Sequence, residues 1–187
     1  MKRYKRKWWY FVTQIIYKYL FQSIGKRTVL YKPLQLDEVK SLSIGKEVYI
    51  AEGAWLMGNS EMSHTCRILD NTTIGHFVHI IARHSVTIEA NVLIADKVFI
   101  SDCAHDYEDI SNPVIKQGIK FLSPVVIGEG SWLGENVCVC GASIGKHCVI
   151  GANSVVTTDI PDYCVAVGSP AKVVKKYDFD KNEWVKV

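Results

Sequence analysis

The feature that most constrains the fold is a hydrophobic period of six residues, which runs through most of the 187-residue chain. The large aliphatic residues stand at Ile44, Ile50, Leu56, Met62, Ile68, Ile74 and Ile80, then Ile88, Ile94 and Ile100, then Ile127, Leu133 and Val139, and last Ile144, Ile150 and Val156. A period of six matches neither an α-helix nor a simple alternating strand. It is typical of a solenoid in which each hexad forms one short strand with its turn.

A second, smaller set of residues accompanies this period. Small or β-branched residues stand four positions after the aliphatic ones, as at Val48, Ala54, Ser60 and Cys66. Three hexads then form one triangular coil, and each coil pairs its strands with the coils above and below. The sequence therefore predicts an all-β parallel β-helix, and the period by itself leaves the hand of the helix open.

Three stretches of the C-terminal half carry a family resemblance: "IGEGSWLGENV", "ASIGKHCVIGANSVVTTDIPDY" and "VAVGSPAKVVKKY". They resemble the hexapeptide-repeat acyltransferases, in the branch of the galactoside and maltose acetyltransferases and the polysaccharide O-acetyltransferases. The resemblance covers about residues 40–177. It implies a left-handed β-helix, a homotrimer, and transfer of an acetyl group from acetyl-CoA at the subunit interfaces.

Residues 103–122 leave the hexad frame and form a predicted loop that contains His105. An excursion of this length in a regular fold is more often functional than accidental. The preceding "VLIADKVFISDCAH" resembles the family stretch that ends in the catalytic histidine, so the resemblance implies that His105 is the general base. Imidazole titrates near neutrality and suits this task. The alternative is a nucleophilic Cys103 activated by His105, although residues two apart on an extended chain rarely reach hydrogen-bond distance.

The resemblance also implies where the two substrates bind. The residues that match the family's CoA-contacting positions, together with an aromatic wall, are Trp132, Glu135, Ala152, Thr157, Thr158, Lys172 and Lys175. His79 and Arg83 lie in the coil below the loop and are candidates for contact with the acceptor. The cysteines show no paired spacing of a zinc site, so we expect no metal.

The N-terminal segment differs from the rest in charge. Residues 1–36 hold nine of the 22 basic residues and none of the acidic ones, which leaves 13 basic against 19 acidic residues in the remainder. A helical stripe follows the basic cluster, with its members at Trp8, Phe11, Val12, Ile15, Ile16, Tyr19 and Leu20. Residues 1–27 are therefore expected either to lie on an anionic membrane surface or to cap the first coil. No nucleic-acid-binding module accompanies the charge.

Together these observations predict a basic N-terminal arm (1–36), a β-helix domain (37–165) and a C-terminal segment on the CoA side with a tail (166–187). The predicted function is acetyl-CoA-dependent O-acetylation of a sugar hydroxyl in a bacterial-type surface glycan or its precursor. N-acetylation of an amino sugar and a non-catalytic scaffold are the alternatives. We see no signal peptide and expect a cytoplasmic protein, with peripheral membrane association as an option.

Overall fold

The computed structural model describes residues 3–187, with side chains from residue 7 onward. Lys2 of the predicted basic cluster lies outside the described residues, as do the side chains of Arg3, Lys5 and Arg6. One α-helix, α1 (Arg3–Ile15), is followed by short 3₁₀ turns at Tyr17–Tyr19, Val39–Ser41 and Val114–Lys116. The strands are β1 (Ser23–Ile24), β2 (Val29–Leu30), β3 (Gln35–Asp37), β4 (Leu42–Ile44), β5 (Tyr49–Ile50), β6 (Trp55–Met57), β7 (Cys66–Ile68), β8 (Thr73–Ile74), β9 (His79–Ile81), β10 (Val86–Ile88), β11 (Leu93–Ile94), β12 (Phe99–Ser101), β13 (Cys103–His105), β14 (Ile119–Phe121), β15 (Val125–Ile127), β16 (Trp132–Leu133), β17 (Cys138–Cys140), β18 (Val149–Ile150), β19 (Val155–Val156), β20 (Cys164–Val167), β21 (Lys172–Asp178) and β22 (Glu183–Lys186).

All strands except β13 and β14, which pair only with each other, form three sheets that run along the sides of a β-solenoid of about 7 turns. Sheet 1 has the order β1-β4-β7-β10-β15, sheet 2 begins β2-β5-β8-β11-β16-β18-β20, and sheet 3 has the order β19-β17-β12-β9-β6-β3. Nearly all neighbouring strands within these sheets are parallel and in register, as in the pairing of Ile80 with both Leu56 and Ile100. The predicted all-β parallel β-helix is confirmed.

The core consists of the inward aliphatic residues stacked from coil to coil. Leu56, Ile80 and Ile100 form such a column, and all three are fully buried. Met62 and Ser60 contradict the predicted frame, because both are exposed. They belong to a longer turn between β6 and β7, so the twelve positions from Leu56 to Ile68 hold one coil corner and no extra strand.

All departures from the six-residue period fall on one edge of the solenoid. We call this edge the third corner, the set of segments that lead from sheet 3 back to sheet 1. Its members after the first coil are residues 58–65, 82–85, 102–124, 141–143 and 157–159. The other two corners stay short and close-packed: a Cβ added to Gly128 would lie 2.4 Å from the carbonyl carbon of the residue stacked on it. The loop with His105 therefore emerges at the one corner where the repeat tolerates insertions.

The first coil begins earlier than the sequence predicts. Strands β1, β2 and β3 pair with β4, β5 and β6, so the solenoid starts at Ser23, and the expected boundary between residues 36 and 37 falls inside β3. Helix α1 lies against this coil. The Thr13 hydroxyl accepts a hydrogen bond from the Leu30 amide at 3.0 Å, and the Gln14 amide donates to the Gly25 and Thr28 carbonyls at 3.1 Å.

Only part of the predicted apolar stripe faces the solenoid. Val12 is buried there with Thr13, whereas Trp8, Phe11 and Ile15 remain exposed on the other side of the helix. The stripe is thus split between two faces, because the helix uses a mixed face for the first coil and leaves its most apolar face open.

The C-terminal segment extends sheet 2 at the opposite end of the solenoid. Strand β21 pairs antiparallel with β20, and β22 pairs antiparallel with β21. Aromatic rings from this hairpin pack on the last corners between sheets 1 and 2, where Tyr163 contacts both His147 and Phe179.

Candidate active site

His105 lies at the end of the first strand of a hairpin that projects from the third corner. Strand β13 pairs antiparallel with β14, which places His105 opposite Ile119. The far end of this hairpin is braced by the Gln117 side chain, whose amide donates to the Asp109 carbonyl at 2.8 Å and whose oxygen accepts from the Asp109 amide at 3.0 Å. The loop is therefore ordered by its own hydrogen bonds and holds the histidine at a defined place.

The imidazole borders a cavity of about 340 Å³ between the hairpin and the outer face of sheet 3. Carbon atoms dominate its walls. The lining residues are Trp55, Met57, Ile81, Phe99, Ser101, Cys103, Ala104, His105 and Ile119. Within the described residues no hydrogen-bond partner holds the His105 ring, so its nitrogens are free to meet a substrate.

Asp102 fixes the base of the loop. Its carboxylate is fully buried and accepts hydrogen bonds from the main-chain amides of Arg83, His84 and Ser85 at 3.0, 2.7 and 2.7 Å. Its carbonyl accepts from the Leu122 amide at 2.9 Å, where the loop returns. Both ends of the loop and the coil below it therefore meet at one residue, which leaves the carboxylate committed to the backbone and away from the imidazole.

Three cysteines lie close to this cavity. Cys138 and Cys140 of β17 pair with Phe99 and Ser101, and their sulfur atoms are 3.5 Å apart. The Cys140 thiol stabilises a Cys138 thiolate, which lowers the pKa of Cys138 to about 7 and raises the pKa of Cys140. Burial raises the pKa of Cys103, and its sulfur lies 3.5 Å from the Ser101 hydroxyl. A Cys103 nucleophile would thus form its thiolate less readily than an ordinary cysteine.

The two acceptor candidates differ in their position relative to the cavity. His79 stands on the outer face of sheet 3, with its ring centroid 5.2 Å from that of the cavity residue Trp55. Arg83 points elsewhere: its guanidinium donates to the Gly58 carbonyl at 2.9 Å and lies 3.3 Å from the Glu38 carboxylate. Arg83 does not line the cavity, so its side chain is placed to hold the third corner together.

The CoA candidates fall into three groups in one chain. Glu135 and Ala152 stack on the corner between sheets 2 and 3, and Lys172 lies next to this corner because it pairs with Val167. Thr157 and Thr158 are exposed on the third corner, directly after β19.

The remaining two candidates, Trp132 and Lys175, project from sheet 2, away from the His105 loop of the same chain. Glu135 also pairs with Lys97 at 3.1 Å. A ligand that touched all seven candidates would have to cross an edge of the solenoid. Among residues 3–187, no group of three or more His, Cys, Asp or Glu side chains is placed to hold a metal ion.

The apolar wall of the cavity escaped the sequence reasoning. Trp55 and Phe99 each precede an inward aliphatic residue of sheet 3, as do His79 and Cys138. Residues at this position face outward, where polar side chains are the usual choice. Alignment of the coils by sheet, instead of by hexad alone, would have shown an apolar outer face on sheet 3.

Comparisons with known proteins identify the family to which this fold belongs. A family model described as "Hexapeptide repeat of succinyl-transferase" matches residues 124–158. The chain is 45% identical over 124 residues to WbbJ of Escherichia coli, a protein named for lipopolysaccharide O-acetyl transfer, with 63% of each chain covered. The chain spans 45% of the length of a protein of Mycobacterium tuberculosis that is named as an acetyltransferase and is 40% identical over 141 residues.

A solved structure supports the fold. AntD, an N-acyltransferase from Bacillus cereus in complex with dTDP and 3-hydroxybutyryl-CoA, superposes with a TM-score of 0.76 at 18% identity, over 90% of both chains. A longer sequence match is to the galactoside O-acetyltransferase of Escherichia coli, which is 31% identical over 169 residues, or 86% of this chain and 82% of that protein. The chain therefore belongs to the hexapeptide-repeat acetyltransferase family.

Proposed function

We propose that the protein transfers an acetyl group from acetyl-CoA to a sugar hydroxyl of a surface glycan or its precursor. The observation that carries the proposal is the position of His105, which borders a carbon-lined cavity and whose ring has no hydrogen-bond partner among the described residues. WbbJ, matched at 45% identity, is named for O-acetylation of lipopolysaccharide, and the galactoside enzyme is also an O-acetyltransferase. N-acylation of an amino sugar is supported only by the fold of AntD.

His105 acts as the general base in this reaction. One ring nitrogen removes the proton of the acceptor hydroxyl while its oxygen forms the new ester bond to the acetyl carbon. The thioester carbon–sulfur bond breaks, and the proton then passes from the imidazole to the sulfur, which leaves as the thiol of CoA. The apolar wall around the cavity excludes water, which would otherwise compete with the sugar for the acetyl group.

The carbon lining indicates how the acceptor lies. Trp55 and Phe99 present flat apolar surfaces to the cavity, on which the carbon-bearing face of a sugar ring can rest. The hydroxyl to be acetylated then points toward His105 at the hairpin. His79, whose ring lies 5.2 Å from that of Trp55, would donate or accept one hydrogen bond with the acceptor.

A homotrimer would complete the site, because one chain supplies only part of it. Ile110 and Ile115 at the loop tip are 100% and 90% exposed, and Trp132 projects from sheet 2, away from its own loop. Contact between copies would cover these apolar groups and bring Trp132 of one copy to the loop of another. Acetyl-CoA would then lie along the corner with Glu135, Ala152 and Lys172, where the lysine meets a phosphate.

The test is a thiol-release assay with acetyl-CoA and a panel of sugars, amino sugars and lipid-linked glycans. His105→Ala is expected to lower kcat about a hundredfold or more and to leave acetyl-CoA binding intact. His76→Ala is the matched control, because His76 is exposed and does not line the cavity. Turnover near that of the wild type in His105→Ala would refute the assignment of the base, and acetylation of amino sugars alone would refute the hydroxyl acceptor.

A further inference from the structure

Helix α1 has two different faces, and only one of them is used by the solenoid. Trp9 and Val12 pack toward the first coil, and the Thr13 and Gln14 side chains hydrogen-bond to its backbone. The buried polar contacts of Thr13 fix the rotation of the helix about its axis. The opposite face of the helix is therefore held toward solvent and cannot rotate onto the first coil.

That outward face is apolar and aromatic. Trp8, Phe11 and Ile15 follow each other at helical spacing and are 62%, 51% and 47% exposed, and Tyr19 continues the row at 81%. The rings of Trp8 and Phe11 stack with centroids 6.2 Å apart. A contiguous exposed patch of this kind marks an interaction surface, whereas scattered exposed apolar residues do not.

The charges around this face are cationic and available. Lys7 and Lys18 flank Phe11 along one side of the helix and are exposed, as is Lys26 in the first turn of the solenoid. No salt bridge among the described residues involves these three, whereas Arg27 pairs with Glu47 and Lys32 pairs with Glu52. Three lysines that form no salt bridge among the described residues thus lie beside the apolar face, and the sequence places no carboxylate before Asp37 to oppose them.

We propose that this face, which we call the helix stripe (Trp8, Phe11, Ile15 and Tyr19), docks on the surface of an anionic lipid bilayer. Trp and Tyr side chains favour the interface between lipid headgroups and acyl chains, and nearby lysines are attracted to anionic headgroups. The 13 residues of α1 extend about 20 Å, which is shorter than a bilayer core, so the helix lies in the surface plane. No helix within residues 3–187 is both long and apolar enough to cross a membrane.

Docking through the stripe also sets how the enzyme faces the membrane. The helix is fixed to the first coil, so capping of the solenoid and membrane contact are two roles of the same helix. The N-terminal end of the solenoid lies at the lipid surface, and the C-terminal hairpin points away from it. This inference concerns the helix alone and stands whether or not the proposed acetyl transfer is correct.

The experiment uses the full chain and vesicles of phosphatidylcholine, with and without phosphatidylglycerol, in a co-sedimentation assay. The wild type is expected to bind the anionic vesicles and to dissociate as salt is raised. Trp8→Gln/Phe11→Gln and, separately, Lys7→Glu/Lys18→Glu are each expected to weaken binding about tenfold or more. Circular dichroism and thermal melting confirm that the variants are folded.

Matched controls lie at the opposite end of the solenoid. Phe179→Gln removes an equally exposed ring, and Lys181→Glu/Lys186→Glu reverses two exposed lysines, and both variants are expected to bind as the wild type does. Absence of wild-type binding, or equal binding by the helix variants, would overturn the proposal. A change of oligomeric mass in Trp8→Gln/Phe11→Gln, seen by light scattering without vesicle binding by the wild type, would instead assign the stripe to contact between copies.

Discussion

Asp102 offers the sharpest test of how the fold positions the active-site loop. Its carboxylate accepts three main-chain hydrogen bonds at 3.0, 2.7 and 2.7 Å and is inaccessible to solvent. Asp102→Ala leaves these three amides without their acceptor, at about 1–3 kcal/mol for each buried group. Since the coil can relax and admit water, we expect a total loss of about 3–5 kcal/mol in the free energy of unfolding.

Asp102→Asn is the more discriminating change, because it keeps the shape of the side chain. One carboxylate oxygen becomes an amide that cannot accept, so at least one main-chain N–H faces a donor. We expect a loss of about 2–4 kcal/mol, which for a chain of this size lowers Tm by roughly 10 °C. Since His105 lies three residues farther along the loop, kcat is expected to fall about tenfold or more, with little change in KM for acetyl-CoA.

Asp106, in the same loop, provides the control for these two variants. Asp106 is also an aspartate beside His105, but its carboxylate accepts only one amide hydrogen bond among the described residues, from Glu108 at 3.2 Å. Asp106→Asn is therefore expected to change the unfolding free energy by less than about 1 kcal/mol. Denaturant unfolding, thermal melting and thiol release measure the three quantities. An Asp102→Asn protein with wild-type Tm and kcat would refute the view that this carboxylate anchors the loop.

Three further predictions concern acetyl-CoA binding, the packing of the coils and the cysteine pair of β17. Lys172→Glu is expected to raise KM for acetyl-CoA about tenfold with kcat nearly unchanged, whereas Lys181→Glu leaves both unchanged. Gly128→Ala is expected to lower Tm sharply, because the added Cβ would lie 2.4 Å from stacked backbone in the next coil. Iodoacetamide is expected to label Cys138 increasingly from about pH 6 to pH 8, because its thiolate forms near pH 7. Buried Cys66, whose pKa is about 12, is expected to stay unlabelled in the folded protein. Mass spectrometry measures the labelling of both cysteines.

The repeat could be predicted because aliphatic residues at the same spacing fill the inward positions of every coil. Inward sites accept only apolar side chains, so Ile74 and Ile94 reveal the solenoid directly. Met62 misled the reasoning because it is apolar and falls six positions after Leu56, yet it lies in a corner insertion. Spacing alone cannot separate two hexads from one strand followed by a lengthened corner with the same total of twelve residues, since only pairing with the next coil determines the register.

The packing of the N-terminal arm was harder to predict, because one helix both packs on the first coil and exposes an apolar face. A helical stripe with Val12 among its members suggests a single buried face, but the contacts that fix the helix are polar, from Thr13 and Gln14 to the backbone of the first coil. The hexad period is present in β1 to β3 at Ile24, Leu30 and Leu36, but eight residues separate Leu36 from Ile44, so a frame counted from Ile44 does not reach the first coil. The boundary of the solenoid was therefore placed one coil too late.

The third corner connects the repeat to the chemistry. A parallel coil can lengthen a corner without disturbing its strands, because each strand is paired with the coils above and below whatever the length of the connection between them. The other two corners keep the six-residue spacing in every coil, and the insertions lie on the corner that follows sheet 3. The longest insertion begins at buried Asp102, which ties it to the coil below, and it carries His105 back over the apolar face of sheet 3. Corners of different length on one edge thus leave the paired sheets regular, while the longest corner places His105 beside sheet 3.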